Sequence, residues 1–187
     1  MKSPYIGITG FMLAYEVRSV LKAFPLYAPR KVMVGVLASQ KTLNGEKNKW
    51  PNRYPDTWRI KDIFIDHPLA LNLIHYHSKA PENLFGELLE LTDLGGPYLH
   101  GFQLNIAWPS MRILQDYHNL YPEKQFVLQI SNHALEMVSN SPEKLANRVQ
   151  EYAGLIDYVL LDPSGGQGKL LDPVWVVQYL KILSEKI

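Results

Sequence analysis

Short apolar runs alternate with amphipathic segments along the whole chain. The runs have the continuous or alternating apolar pattern typical of β-strands, and most are followed by apolar residues at helical spacing. They span residues 5–11, 31–39, 69–78, 102–108, 125–131 and 158–162. The repeated order of strand and helix, without a break in composition, predicts one α/β domain over residues 1–187 with a parallel sheet.

Prolines and small polar residues mark where the helices begin and end. Apolar residues recur at helical spacing from Leu13 to Phe24, and Pro25 ends that helix. Ser141 and Asp172 each precede a proline, which is typical of a helix cap followed by the first helical position. The segment after the second strand, "QKTLNGEKNKWPNRYPD", is polar and is predicted to be a loop insert.

Polar side chains within the strands favour a barrel over an open sheet. Gln103 and Asn105 alternate with apolar residues in the fourth strand, and Gln129 and Ser131 share one face of the fifth. A β/α barrel gathers such residues at the carboxyl ends of its strands, where its active site lies. The prediction is therefore a TIM-type (β/α) barrel with six of the eight βα units present in this chain.

Composition narrows the class of protein. The chain has 187 residues, 47% of them hydrophobic and 20% charged, with a formal net charge of +1. This is enough for one sizeable core, and it gives no charge-driven surface for nucleic acid or membrane. Cysteine is absent from the sequence, which excludes disulfides and thiolate chemistry. With no signal-peptide pattern at the N-terminus, we expect a cytoplasmic protein.

The stretch "DYVLLDPSGGQGK" carries the first candidate site. A buried strand ends at Asp162, and Gly165, Gly166 and Gly168 follow. The carboxyl group is placed to bind a ligand or transfer a proton, and the glycines could face a phosphate or substrate. Alternatively, Asp162 caps the turn and the glycines form a flexible connection. The glycine spacing is not that of a P-loop or a dinucleotide site.

Two histidines give a second candidate. His75 and His77 share one face of the third strand near its carboxyl end. They could serve as bases, or they could bind a divalent metal with Asp162 as a third ligand. Otherwise they are ordinary polar residues of a barrel mouth. Arg53, in the polar insert, is either a ligand-binding residue or part of a solvated basic loop.

The motifs resemble those of phosphoribosylanthranilate isomerases. "YVLLDPSGGQGK" is similar to the end of the sixth strand of that family, and "YIGITG" to its first strand, Lys-Ile-Cys-Gly-Ile-Thr. "GFQLNI" resembles its fourth strand, Val-Gln-Leu-His-Gly, and "WPNRYP" resembles an Arg-Tyr after the second. The resemblance implies an eight-stranded barrel that carries out an Amadori rearrangement of an aminoribose phosphate in tryptophan biosynthesis, without a cofactor.

Individual residues can be matched to that family. By this resemblance, Asp162 is the general acid, Arg53 meets a substrate carboxylate, and Gly165, Gly166 and Gly168 form the mobile loop beside the acid. The cysteine that serves the family as general base is replaced by Ile6, which cannot accept a proton. We therefore expect weak or no phosphoribosylanthranilate isomerase activity, unless His75 or His77 replaces the base. The family's histidine after Gln-Leu is Asn105 here.

The chain ends after the sixth unit, whereas the family holds phosphate with loops after strands seven and eight. We therefore expect the first and sixth strands to be sheet edges, with poor solubility or self-association and no tight binding of a phosphoribosyl group. The sequence predicts a protein that acts on or binds a sugar phosphate or small carboxylate, isomerase-like if active. Alternatives are a metal-dependent barrel hydrolase using His75, His77 and Asp162, or a non-catalytic ligand-binding barrel. Partners beyond a small molecule are limited to a possible second copy of the chain.

Overall fold

The computed structural model describes residues 3–164, 170 and 172–186, and every structural statement refers to these residues. They form an α/β fold with a six-stranded, all-parallel sheet whose spatial order follows the chain. The sheet curls into a half-barrel, which confirms the expected α/β class and is compatible with part of a TIM-type barrel. The strands are β1 (Ile6–Thr9), β2 (Val32–Ser39), β3 (Ala70–His77), β4 (Gly101–Leu104), β5 (Gln125–Ser131) and β6 (Tyr158–Asp162).

One or two helices follow each strand and cover the outer face of the sheet. They are α1 (Ala14–Leu21), α2 (Gln40–Leu43), α3 (Ile60–Ile63), α4 (Leu84–Gly95), α5 (Met111–Leu120), α6 (Asn132–Met137), α7 (Pro142–Gln150) and α8 (Pro173–Lys186). Ser141 caps α7 as expected, because its hydroxyl accepts a hydrogen bond from the backbone N–H of Lys144 at 3.3 Å. No helix in this part of the chain combines the length and apolar composition that a bilayer crossing requires.

The curled sheet separates a large outer core from a small inner one. On the outer side, Phe102 and Phe126 pack against the Tyr117 ring of α5, with centroids 5.8 and 5.4 Å away. Strand β2 is buried along its full length because both of its faces are covered. The inner core is apolar and consists of Met33, Leu71, Leu73 and Val127. Polar inner-face side chains therefore lie nearer the carboxyl ends of the strands.

Strands β1 and β6 are the two edges of the described sheet and do not pair with each other. Across the open side, the Tyr5 ring packs edge-to-face on the Tyr158 ring, with centroids 5.0 Å apart and an interplanar angle of 84°. Both rings pack against the inner core. The expected gap between "YIGITG" and "YVLLD" is thus present, and the two tyrosines partly bridge it.

The polar segment after β2 is more ordered than the expected loop. Ser39 caps α2 and accepts a hydrogen bond from the N–H of Thr42 at 3.4 Å. Ile60 and Ile63 are buried in the outer core and anchor α3 there. Short 3₁₀ turns lie between these helices, at Pro51–Arg53 and Thr57–Arg59. Within the insert itself, residues 40–56, α2 and the turn at Pro51–Arg53 are regular and the rest is loop as expected, whereas α3 lies just beyond it.

Strand β4 is shorter than the predicted strand over residues 102–108, because it ends at Leu104. Trp108 has a left-handed backbone, with φ of 51°, and precedes Pro109. Its indole N–H donates to the carbonyl oxygen of Ala134 at 3.2 Å, which fixes the turn toward α6. The apolar alternation continued into this turn, and alternation alone does not show where a strand ends.

Candidate functional site

A cavity of about 970 Å³ lies inside the half-barrel and reaches the carboxyl ends of its strands. Every predicted site residue that the structure describes lines this cavity. These residues are Arg53, His75, His77, Gln103, Asn105, Gln129 and Asp162. The predicted glycines Gly165, Gly166 and Gly168 lie outside the described residues. The alternation that placed the strand side chains on one face also brings them into one cavity.

Two amides and a carboxylate form a hydrogen-bonded chain across three neighbouring strands. Gln103 Nε2 donates to Gln129 Oε1 at 2.9 Å, and Gln129 Nε2 donates to Asp162 Oδ2 at 2.9 Å. Ser164 donates its hydroxyl to Asp162 Oδ1 at 2.8 Å. The exposed fractions of Gln103 and Gln129 are only 3% and 2%, so water competes little for these bonds. The carboxylate of Asp162 is therefore held in one orientation.

His75 is held as a neutral imidazole. Burial lowers its pKa from 6.5 to about 4, and the nearby positive charge of Arg53 contributes in the same direction, while Asp162 opposes the shift. Its Nδ1 is enclosed and has no hydrogen-bond partner of normal geometry, although the Gln129 amide lies near enough to affect the pKa. At neutral pH this side chain can accept a proton or a hydrogen bond from a ligand.

His77 has a different environment from His75. Its ring is exposed, and Nδ1 lies 3.0 Å from the backbone oxygen of Asn105. Because a carbonyl oxygen can only accept, Nδ1 must carry the proton, and Nε2 is the acceptor in the neutral ring. The backbone N–H of Asn105 donates to the oxygen of Tyr76 at 2.8 Å, so this carbonyl is well fixed. His77 therefore offers an accessible proton acceptor at the cavity rim.

Arg53 is the cationic side chain among the described residues that line the cavity. Its Nη2 lies 3.5 Å from the Thr9 hydroxyl at the end of β1. Gly10 has φ of +91°, and a β-carbon there would lie 3.0 Å from Arg53 Nε. Within the described part of the chain, no carboxylate lies within ion-pair distance of the guanidinium. Arg53 therefore rests against the end of β1 with its charge available to a ligand.

The segment that carries Arg53 is fixed by a small polar network at its base. The Ser39 hydroxyl donates to Asn48 Oδ1 at 2.7 Å, and Asn48 Nδ2 donates to the Thr42 hydroxyl at 3.0 Å. Ser39 ends β2, so these bonds tie the insert to the sheet. They restrict where the following turn, which holds Trp50 and Arg53, can lie over the cavity.

Strand β1 presents different side chains to the cavity than the sequence resemblance suggested. Tyr5, Gly7 and Thr9 line the cavity, and Ile6 does not. Ile6 occupies the matched position of the family's base, but it lies on the opposite face of the strand and is 37% exposed. A proton acceptor at position 6 would therefore point away from Asp162. The hydroxyl of Thr9 is the polar group that β1 contributes.

The metal alternative receives no support from the geometry. Among residues 3–164, 170 and 172–186, no group of three histidine or acidic side chains is arranged to hold a metal ion. His75 and His77 differ in burial, and Asp162 has both oxygens engaged by Gln129 and Ser164. These contacts favour a hydrogen-bonding site over a site of metal ligands.

No known family matches this chain. No curated protein and no solved structure matches it either. The likeness to phosphoribosylanthranilate isomerases therefore stands on the sequence motifs, and the cavity supplies independent observations about chemistry.

Some residues of the site were not anticipated from the sequence. Thr9 could have been found by extending the alternation of "YIGIT", in which every second residue faces the cavity. Ser164 follows Asp162 by two residues, a spacing at which a hydroxyl can bond to an aspartate in a turn. Asn48 gave no signal, because its role depends on contacts with Ser39 and Thr42.

Proposed function

We propose that this chain is a TIM-type barrel protein, similar to phosphoribosylanthranilate isomerases, that binds a sugar phosphate or a small carboxylate in the half-barrel cavity. The observation that carries the proposal is that a guanidinium and a carboxylate line the same cavity. Arg53 lies at the end of β1, and Asp162 ends β6. A guanidinium binds phosphate or carboxylate with paired N–H donors. An anionic group would meet Arg53, and the remainder of the ligand would extend toward Asp162.

The same cavity holds groups suited to proton transfer. In an isomerase-like reaction Asp162 would serve as the acid once it has taken up a proton, and His75 would serve as the base. His75 is neutral at pH 7 and can accept a proton, but its pKa of about 4 makes it a weak base. We expect turnover of phosphoribosylanthranilate below the ordinary range of about 1–10³ per second, measured by loss of substrate fluorescence.

Titration calorimetry with ribose 5-phosphate and, separately, with D-ribonate tests the binding proposal. The tighter ligand identifies the anionic group that the cavity prefers. Arg53→Gln should weaken binding at least about tenfold, because a hydrogen bond to a charged group contributes about 1.5–3 kcal/mol. Arg59→Gln is the matched control, since Arg59 follows shortly after Arg53 in the chain but stacks 5.5 Å from the Trp58 ring and does not line the cavity.

The control should bind like the unaltered protein. If neither anion binds, or if Arg53→Gln binds as tightly as Arg59→Gln, the proposed function is wrong.

A further inference from the structure

The hydrogen-bonded chain of Gln103, Gln129 and Asp162 can run in only one direction. A carboxylate only accepts hydrogen bonds, so Asp162 Oδ2 requires the amide nitrogen of Gln129 as its donor. Gln129 Oε1 is then turned the other way and accepts from the amide nitrogen of Gln103. The orientation of both amides is therefore determined by the charged end of the chain.

This direction decides what Gln103 offers at the other end. Its nitrogen is engaged with Gln129, and its Oε1 has no hydrogen-bond partner among the described residues. This oxygen is not among the fully enclosed unpaired atoms of the structure, and Gln103 lines the cavity. Reversing the amide would set two donors or two acceptors against each other at a buried contact, at a cost comparable to a lost hydrogen bond.

We propose that Gln129 is a positioning residue that makes this wall of the cavity an acceptor surface, selecting ligands with a hydroxyl group to donate to Gln103. This inference rests on the proposed binding of a small anion and adds the chemistry of the rest of the ligand. Phosphate and carboxylate oxygens are repelled by Asp162 and by an amide oxygen, whereas a hydroxyl can donate to either. The ligand class is a polyhydroxylated carbon chain with a terminal anionic group, which lies at Arg53.

A pair of phosphates with the same carbon length and charge tests this selection. Ribitol 5-phosphate carries hydroxyl groups along its chain, and n-pentyl phosphate carries none. The affinity of each is measured by calorimetry for the unaltered protein and for Gln129→Met, which has similar volume but no amide. Gln125→Met is the matched control, since Gln125 begins β5 at its amino end and does not line the cavity.

In the unaltered protein, ribitol 5-phosphate should bind at least about tenfold more tightly than pentyl phosphate. Gln129→Met should abolish most of this preference and leave the affinity for pentyl phosphate the same or higher. Gln125→Met should retain the preference. If Gln129 had only a structural role, Gln129→Met would weaken the binding of both phosphates equally.

The possible outcomes separate the two proposals. Binding of both phosphates with equal affinity by the unaltered protein overturns the selection by Gln103 while leaving the anion site intact, and this comparison needs no variant to fold. A preference that survives in Gln129→Met overturns the positioning role of Gln129. If the protein binds neither phosphate and also binds neither ribose 5-phosphate nor D-ribonate, the proposed function itself is overturned.

Discussion

The half-buried imidazole of His75 makes the stability of this fold depend on pH below neutrality. In the folded protein its pKa is lowered from 6.5 to about 4, chiefly by burial. The unfolded chain therefore takes up this proton at a higher pH than the folded protein does. The contribution of neutral His75 to stability is complete above pH 6.5 and is lost progressively as the pH falls toward 4.

The size of this loss follows from the two pKa values. The interval between 6.5 and about 4 corresponds to about 3 kcal/mol of unfolding free energy. This is a large part of the 5–15 kcal/mol typical of whole domains. Other acidic groups also titrate in this range, so the quantity to measure is the difference between the unaltered protein and His75→Gln, which cannot take up the proton.

Urea unfolding followed by tryptophan fluorescence at several pH values between 7 and 4 gives this difference. Relative to His75→Gln, the unaltered protein should lose about 3 kcal/mol over that interval. His133→Gln controls for replacing a histidine, because the His133 side chain is 73% exposed on α6. A difference between the unaltered protein and His75→Gln that stays constant with pH would refute the lowered pKa of His75.

Two further predictions concern the sheet and its edges. Gly101→Ala should destabilise the fold by on the order of 3 kcal/mol or more, because a β-carbon there would lie 1.9 Å from the oxygen of Gln125. Gly86→Ala on α4, with open space around it, should instead stabilise the fold by about 0.5–1 kcal/mol. Equal melting temperatures of the two variants would contradict this prediction. The chain should self-associate through the unpaired edges of the described sheet and the exposed apolar residues Val177 and Leu180 of α8. Its mass measured by light scattering should therefore rise with concentration. A constant monomer mass would disprove this.

Much of the strand pattern could be predicted from the sequence, because it depends on residues close together along the chain. The continuous apolar run of β2 indicated burial on both faces, and the structure confirms it. Alternation also placed Gln103, Gln129 and Asp162 toward the inside. Their hydrogen bonding to one another could not be predicted, because it requires the register of β4, β5 and β6, in which Gln129 lies beside Leu160.

Other features of the site depend on contacts between distant segments. The outward position of Ile6 follows from the alternation of side chains along β1. The sequence resemblance matched Ile6 to the family's base but carried no information about which face of the strand it lies on. The packing of Tyr5 on Tyr158 joins the two ends of the sheet. The placement of Arg53 depends on the close approach that Gly10 allows and on the bonds of Asn48. No local pattern contains this information.

A crystal structure of the protein with ribitol 5-phosphate tests the central claim most directly. We predict that the phosphate lies within hydrogen-bond distance, about 3 Å, of the Arg53 guanidinium. A hydroxyl of the chain should lie at the same distance from Gln103 Oε1, with the Gln129–Asp162 bond intact. A ligand bound outside the cavity, or bound in reverse with its phosphate beside Asp162, would contradict the account.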